Sequence, residues 1–240
     1  LTMRQLQYTI FVFLIIGSSS CIISPHETIY GSGNVVTEER NIGEFTGLKI
    51  SSGIDVVIRQ GNEISLELEA DDNLHEVIIT EVDGNTLRIY TRKNIRKARS
   101  KKVFLVYEDL NTIRISSAGD VTGENTLKTG TLDIDLSSAG DLNLEIQAEK
   151  INCNISSSGD ARLSGSTEVL VASLSSAGDL HAYELMAKKA DISCSSAGDA
   201  RIYASEEFNL RSSSAGSIYY KGDGRVVNSH TSSAGSIVKK

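Results

Sequence analysis

Seven times between Ser116 and Ser236 the chain repeats one five-residue phrase, Ser-Ser-Ala/Ser-Gly-Asp/Ser. Its glycines are Gly119, Gly140, Gly159, Gly178, Gly198, Gly216 and Gly235, with successive gaps of 21, 19, 19, 20, 18 and 19 residues. A period this short and this constant marks stacked units that bury their apolar faces only against their neighbours.

Aligned on those glycines, the apolar residues form columns. Six residues before the glycine stand Ile113, Ile134, Cys153, Ala172, Ile192 and Leu210, and four before it Ile115, Leu136, Ile155, Leu174 and Cys194. Eight before it come Leu132, Ile151, Leu170, Ala190, Phe208 and Val227. Two after it come Val121, Leu142, Ala161, Leu180, Ala200, Ile218 and Ile237. Every offset is even, so one face is buried with the two-residue period of a strand. A coil of about 19 residues is too short for a crossover helix and shorter than a propeller blade. The remaining solution is a parallel β-helix, with each strand paired to its equivalent in the next coil. The bend glycine is expected to supply a positive φ. The serine two before it (Ser117, Ser138, Ser157, Ser176, Ser196, Ser214, Ser233) shares the inward parity and is expected to form internal hydroxyl ladders.

The chain divides by pattern into a leader at 1–20, a linker at 21–30 and a single all-β domain at 31–240. Residues 31–110 alternate less regularly than the seven coils of 111–240. They hold a worn copy of the bend at Ser51-Ser52-Gly53, a hairpin signal at Asp83-Gly84-Asn85 and a strand at 103–107 leading into the first regular coil. The last two coils replace the aspartate with Ser217 and Ser236 and turn polar at Ser212, Ser229 and Thr231. Polarity there suits the end of a solenoid, and an unpaired C-terminal edge would allow homo-oligomers.

Tyr8–Ile16 is an apolar run behind Arg4, too short to span a membrane stably, and Gly17-Ser-Ser-Ser20 then leads to Cys21. That order resembles a bacterial lipoprotein signal, with Cys21 as the lipidated residue and Ser18 where an apolar residue is common. It predicts export and a membrane partner reached through acyl chains. Cys153 and Cys194 have inward parity two coils apart, beyond disulfide reach, and read as buried thiols without zinc spacing.

Gly31–Val36 and Phe45–Val57 resemble the opening of the head GIN domain family (DUF2807), auto-transporter adhesin-like envelope proteins typical of Bacteroidetes. The Ser-Ser-Ala-Gly-Asp coils are similar to that family too, so the resemblance covers nearly all of the mature chain. Gly53-Ile54-Asp55 stands where the name-giving tripeptide belongs, with Asp in place of Asn. The resemblance implies a right-handed parallel β-helix and an adhesin-like role.

Two groups of charges stand out. Asp120, Asp141, Asp160, Asp179 and Asp199 follow the bends and would form a row about 5 Å apart if the coils stack in register. A Ca²⁺ ion or sugar hydroxyls would suit such a row. The preferred expectation is that each aspartate accepts a hydrogen bond from its own turn, since the calcium nonapeptide pattern is missing. Arg92, Lys93, Arg96, Lys97, Arg99, Lys101 and Lys102 reverse the sign locally on a chain of net charge −7. They read as a solvated loop between strands, with an anion contact as the alternative. An acidic, exported chain argues against a nucleic-acid partner.

No catalytic residues, resident metal or cofactor emerge: the four histidines fall in unrelated positions, and the coils leave few residues for site-building loops. The expectation is a non-enzymatic cell-envelope lipoprotein of the outer membrane, acting as an adhesin-like scaffold whose repeated polar ladders contact glycans or other envelope polymers. A polysaccharide lyase or hydrolase and a purely structural periplasmic protein are the alternatives.

Overall fold

The computed structural model describes residues 27–240, so the leader and Cys21 lie outside the described residues. The described chain is all-β apart from one 3₁₀ turn at Asp72–Leu74. No described helix is long and apolar enough to cross a membrane.

From Thr112 onward the chain winds as a parallel β-solenoid whose equivalent residues stack rung over rung. Ile134 faces Cys153, then Ala172, Ile192 and Leu210. After the bend, Leu142 faces Ala161, Leu180, Ala200, Ile218 and Ile237. These residues are buried except for partly covered Ile237, and Cys153 and Cys194 sit inside as free thiols. The alternation works because successive side chains of a strand point to opposite faces, so inward columns fill the tube and the others face water. Strands such as Asp141–Ile155 and Asp160–Leu174 run from one bend to the next around the far corner.

The bend is built differently from the expectation. None of the seven phrase glycines has a positive φ; the two residues before each glycine carry it instead, with φ 46–61° at the serine and 57–63° at the alanine or serine that follows. A left-handed backbone costs about 1–2 kcal/mol per non-glycine residue. Stacking offsets part of this, because the second residue's N–H donates to the serine carbonyl of the next rung: Ala118 to Ser138 at 2.9 Å, Ala139 to Ser157 at 3.0 Å, Ala177 to Ser196 at 3.0 Å. The glycine is required for space. It is buried, and a Cβ on Gly178 would sit 2.8 Å from Ile155 Cγ2 and 2.9 Å from the Ile155 carbonyl oxygen. The left-handed turn also points the serine two before the glycine outward, so the expected internal hydroxyl ladder does not form; Ser117, Ser138 and their equivalents are exposed.

The N-terminal part departs from sequence order. Gly47–Ile50 pairs with Thr112–Ile115 on one side and Thr86–Thr91 on the other; Asp55–Gln60 pairs likewise with Asp120–Gly123 and Lys101–Tyr107. The rung containing 86–107 therefore lies outside the rung containing 47–60, and the chain steps back across that rung between Tyr107 and Thr112. The strand at 103–107 thus does not lead directly into its neighbouring coil. Antiparallel strands close this end: Ile78–Asp83 through the predicted hairpin at Gly84-Asn85, and Ser65–Asp71 followed by Val35–Arg40. Among the described residues the far end stays open, with Arg225–Thr231 paired only to the preceding coil and exposed along its length. A register shift beside Phe208 sets Val226 opposite that ring and leaves Val227 58% exposed, against its expected inward place.

Candidate functional site

The aspartates after the bends do stack in one row: Asp120 faces Asp141, then Asp160, Asp179 and Asp199, with Ser217 and Ser236 completing the column. The backbone holds it in place, because from Asp141 to Asp199 each aspartate N–H donates to the glycine carbonyl of the preceding rung, as Asp141 does to Gly119 at 3.1 Å and Asp179 to Gly159 at 2.9 Å. The carboxylates do not accept hydrogen bonds from their own turns, contrary to expectation; the bond found among the described residues comes from Arg162 Nη2 to Asp160 Oδ2 at 3.2 Å. The turn N–H groups are already committed to backbone carbonyls, those of the alanine and aspartate between rungs and that of the glycine within its own turn, which leaves the side chains to look sideways.

Sideways lies a second outward column, two residues further along each strand: Thr122, Asn143, Arg162, His181, Arg201 and Tyr219. It matches the acidic row where the row is longest. Arg162 pairs with Asp160 at 3.2 Å, His181 Nε2 lies 3.7 Å from the same carboxylate, and Arg201 lies 3.7 Å from Asp199. Asp120 has only Thr122 beside it, and burial together with Asp55 and Asp141 raises its pKa above the usual carboxylate value. Asp160, Asp179 and His181 bring potential ligand atoms within 4.8 Å of one another. The guanidinium already on Asp160 opposes a cation there.

At the end of this column and beside it the surface turns aromatic. Tyr183, Tyr203 and Tyr219 are half-buried outward residues on consecutive rungs. Cations lie over two of these rings: Lys221 Nζ 4.2 Å from the Tyr183 centroid, Arg201 5.6 Å and Lys240 5.1 Å from that of Tyr219. The register slips between Arg162 and Ser164 on one strand and His181 and Glu184 on the next, so the strand of Tyr183 bulges. A groove of about 290 Å³ opens at the bulge, lined among others by Arg162, His181, Tyr183, Glu184 and Arg201. Sequence reasoning passed over this feature, although the signal was present: the Gly178–Gly198 coil is longer than its neighbours, and half of the chain's 8 tyrosines fall between Tyr183 and Tyr220.

The basic run lies at the other end of the stack and is not a free loop. Asn94–Arg96 pairs in parallel with Thr28–Tyr30. Lys93 reaches Glu27 at 2.9 Å, the Lys101 amine donates to the Gly53 carbonyl, and Lys102 lies 5.8 Å from the Phe104 ring centroid. Arg92, Arg96, Lys97 and Arg99 remain exposed. The segment is anchored by Asp71, wholly buried, whose carboxylate accepts N–H groups from Gly33 at 2.8 Å, Arg99 at 2.9 Å and Ser100 at 3.1 Å. Burial pushes the Asp71 pKa up, but the three N–H donors outweigh it and hold it below the ordinary value.

A family profile described as "Putative auto-transporter adhesin, head GIN domain" (DUF2807) matches residues 44–224. Among solved structures, a "putative adhesin" from Bacteroides fragilis superposes with a TM-score of 0.83 at 25% identity, covering 88% of this chain and 100% of the other. A "putative lipid binding protein" from Parabacteroides distasonis gives 0.75 at 23% identity over 89% of this chain and all of its own. A "putative adhesin" from Parabacteroides merdae gives 0.73 at 19%, over 89% of this chain and 99% of its own. The latter two likenesses speak for the fold. A search of curated proteins found no match.

Proposed function

The chain belongs to the head GIN domain family, and from that membership and the geometry above we propose that it is an exported, adhesin-like scaffold that contacts glycans or other envelope polymers without transforming them. The observation that carries this reading is the in-register stacking of outward columns. Asp, Arg/His and Tyr groups recur on successive rungs after the bends, and on the strands before the bends Asn152 donates to Asp133 at 2.7 Å and Asn154 to Asp135 at 2.9 Å. Weak contacts repeated along a rigid surface add through effective concentration rather than through one deep pocket. The carboxylates lie along a single row and are neighbours of one another, whereas glycosidic cleavage uses two carboxyls placed on opposite sides of the scissile bond. Adhesion therefore fits better than a lyase or hydrolase.

The lipoprotein-like leader carries the second half of the proposal: Cys21 bears acyl chains and holds the scaffold at the outer membrane. Beads coated with the purified protein should be retained on polysaccharide-coated surfaces, with no reducing or unsaturated sugar released. Retention no greater than that of a charge-matched control protein, or steady release of sugar ends, would refute the reading. Mass spectrometry of the processed N-terminus, with and without Cys21→Ala, tests the anchor; an unmodified Cys21 in membrane fractions would sink it.

A further inference from the structure

The geometry points to the bulged groove at Tyr183 as a binding site for neutral, hydroxyl-rich saccharide, a specific site within the adhesin-like reading on which this inference rests. The groove is where the regular surface is broken. The slip between Arg162–Ser164 and His181–Glu184 turns the Tyr183 strand out of register with its neighbour, and bulges re-aim side chains in this way. Elsewhere on this face, from Asp141 to Ser164, the two strands stay in step.

The chemistry around the groove is mixed by construction. Arg162 and Arg201 approach from above and below, each paired with an aspartate of the adjoining row at 3.2 and 3.7 Å. His181 stands between them in the same column, and Glu184 follows the bulge. A polyanion entering here would meet Asp160, Asp179 and Glu184; a cation would meet both guanidinium groups. A ligand whose every polar group both donates and accepts meets neither repulsion, and a run of sugar hydroxyls has that property.

The aromatic rings supply the other half of sugar recognition, an apolar surface for the C–H face of a pyranose. Tyr183 lines the groove, and Tyr203 and Tyr219 continue on the following rungs. Lys221 over Tyr183 and Arg201 over Tyr219 fix the ring orientations, so little side-chain freedom is lost on binding. Rungs repeat about every 4.8 Å, of the order of one sugar unit, so an extended chain can pass from the groove onto the neighbouring tyrosines.

The test is binding of the purified protein to an array of neutral oligosaccharides and their uronate counterparts, with hits followed by calorimetry. Neutral oligosaccharides should bind with little change from low to high salt. Tyr183→Ala should weaken them about tenfold or more, roughly the loss of one stacking partner, while Tyr183→Phe, which keeps the ring, should stay close to wild type. Asp135→Asn, on the strand before the bend and not part of the groove lining, should have no effect, and unchanged melting temperatures exclude misfolding. Binding confined to uronates and abolished by salt, wild-type affinity in Tyr183→Ala, or no saccharide binding would overturn the proposal. Bead retention measured with Tyr183→Ala separates the two levels: if those beads still adhere, this site fails and the scaffold reading stands, whereas wild-type beads that never adhere remove the scaffold reading itself.

Discussion

Gly178→Ala, paired with Ala177→Gly, exchanges the roles of two adjacent bend residues and asks which of them the fold restrains. In Gly178→Ala the new methyl would lie 2.8 Å from Ile155 Cγ2, 2.9 Å from the Ile155 oxygen and 3.0 Å from its carbonyl carbon. The first neighbour is a buried side chain, and the other two are backbone already fixed by the Ser175 N–H at 3.0 Å. Relief by a rotamer change is therefore closed, and the cost should sit at the upper end of overpacking, about 3 kcal/mol. For a domain of this size that lowers Tm by roughly 6–12 °C. Ala177 has φ 59°, so Ala177→Gly removes about 1–2 kcal/mol of left-handed strain and adds roughly 0.5–1 kcal/mol of unfolded-state entropy. Its net effect should be neutral or slightly stabilising. Gly130→Ala is the control, since nothing lies within 4 Å of the added Cβ. Thermal melts by circular dichroism, with urea midpoints alongside, give the ranking. Wild-type stability in Gly178→Ala would mean that the space beside Ile155 does not restrain the bend, and a loss above about 1 kcal/mol in Ala177→Gly would mean that the left-handed residue carries no strain to relieve.

Three further outcomes are expected. Asp71 has a folded pKa below its unfolded value, so its stabilisation is complete above the unfolded pKa near 4 and is lost as pH falls through the folded one; Asp71→Ala, which orphans three N–H groups, should cost about 3 kcal/mol at neutral pH and flatten the acid limb of the stability profile. Asp120 is shifted the other way: its folded pKa is raised, so its contribution favours the fold at low pH and is lost as pH rises from the unfolded value through the folded one. Asp120→Asn should therefore raise the neutral-pH melting temperature, and added salt should do the same for wild type but less for the variant; a lower melting temperature would refute the like-charge argument. Burial pushes the Cys153 and Cys194 thiols up to about 12, so neither should react with a thiol reagent at neutral pH until denaturant is added, as read by peptide mass spectrometry; fast labelling of either in the native protein would contradict the buried columns.

How much of this was legible in the letters varies from residue to residue. The inward columns were, because strand parity is a local property: Ile134, Cys153 and Leu174 had to share a face once the offsets were even. The acidic row followed from the same period. The outward, half-buried placement of Tyr183, Tyr203 and Tyr219 followed from strand parity as well, but aromatic residues in a strand pattern carry no mark of which neighbours they will meet.

Three things were settled only by the folded chain. The rung holding 86–107 stacks outside the rung holding 47–60, because pairing between residues far apart depends on which edge is free when they meet. The bend glycine answers to a neighbouring coil's Ile155, an atom absent from its own stretch of sequence. The bulge at Tyr183 arises where coils of unequal length must remain in register at both ends, so the surplus residue is expelled between them. Periodicity within one strand fixes which side chains face inward; contact between coils fixes what each outward residue has beside it.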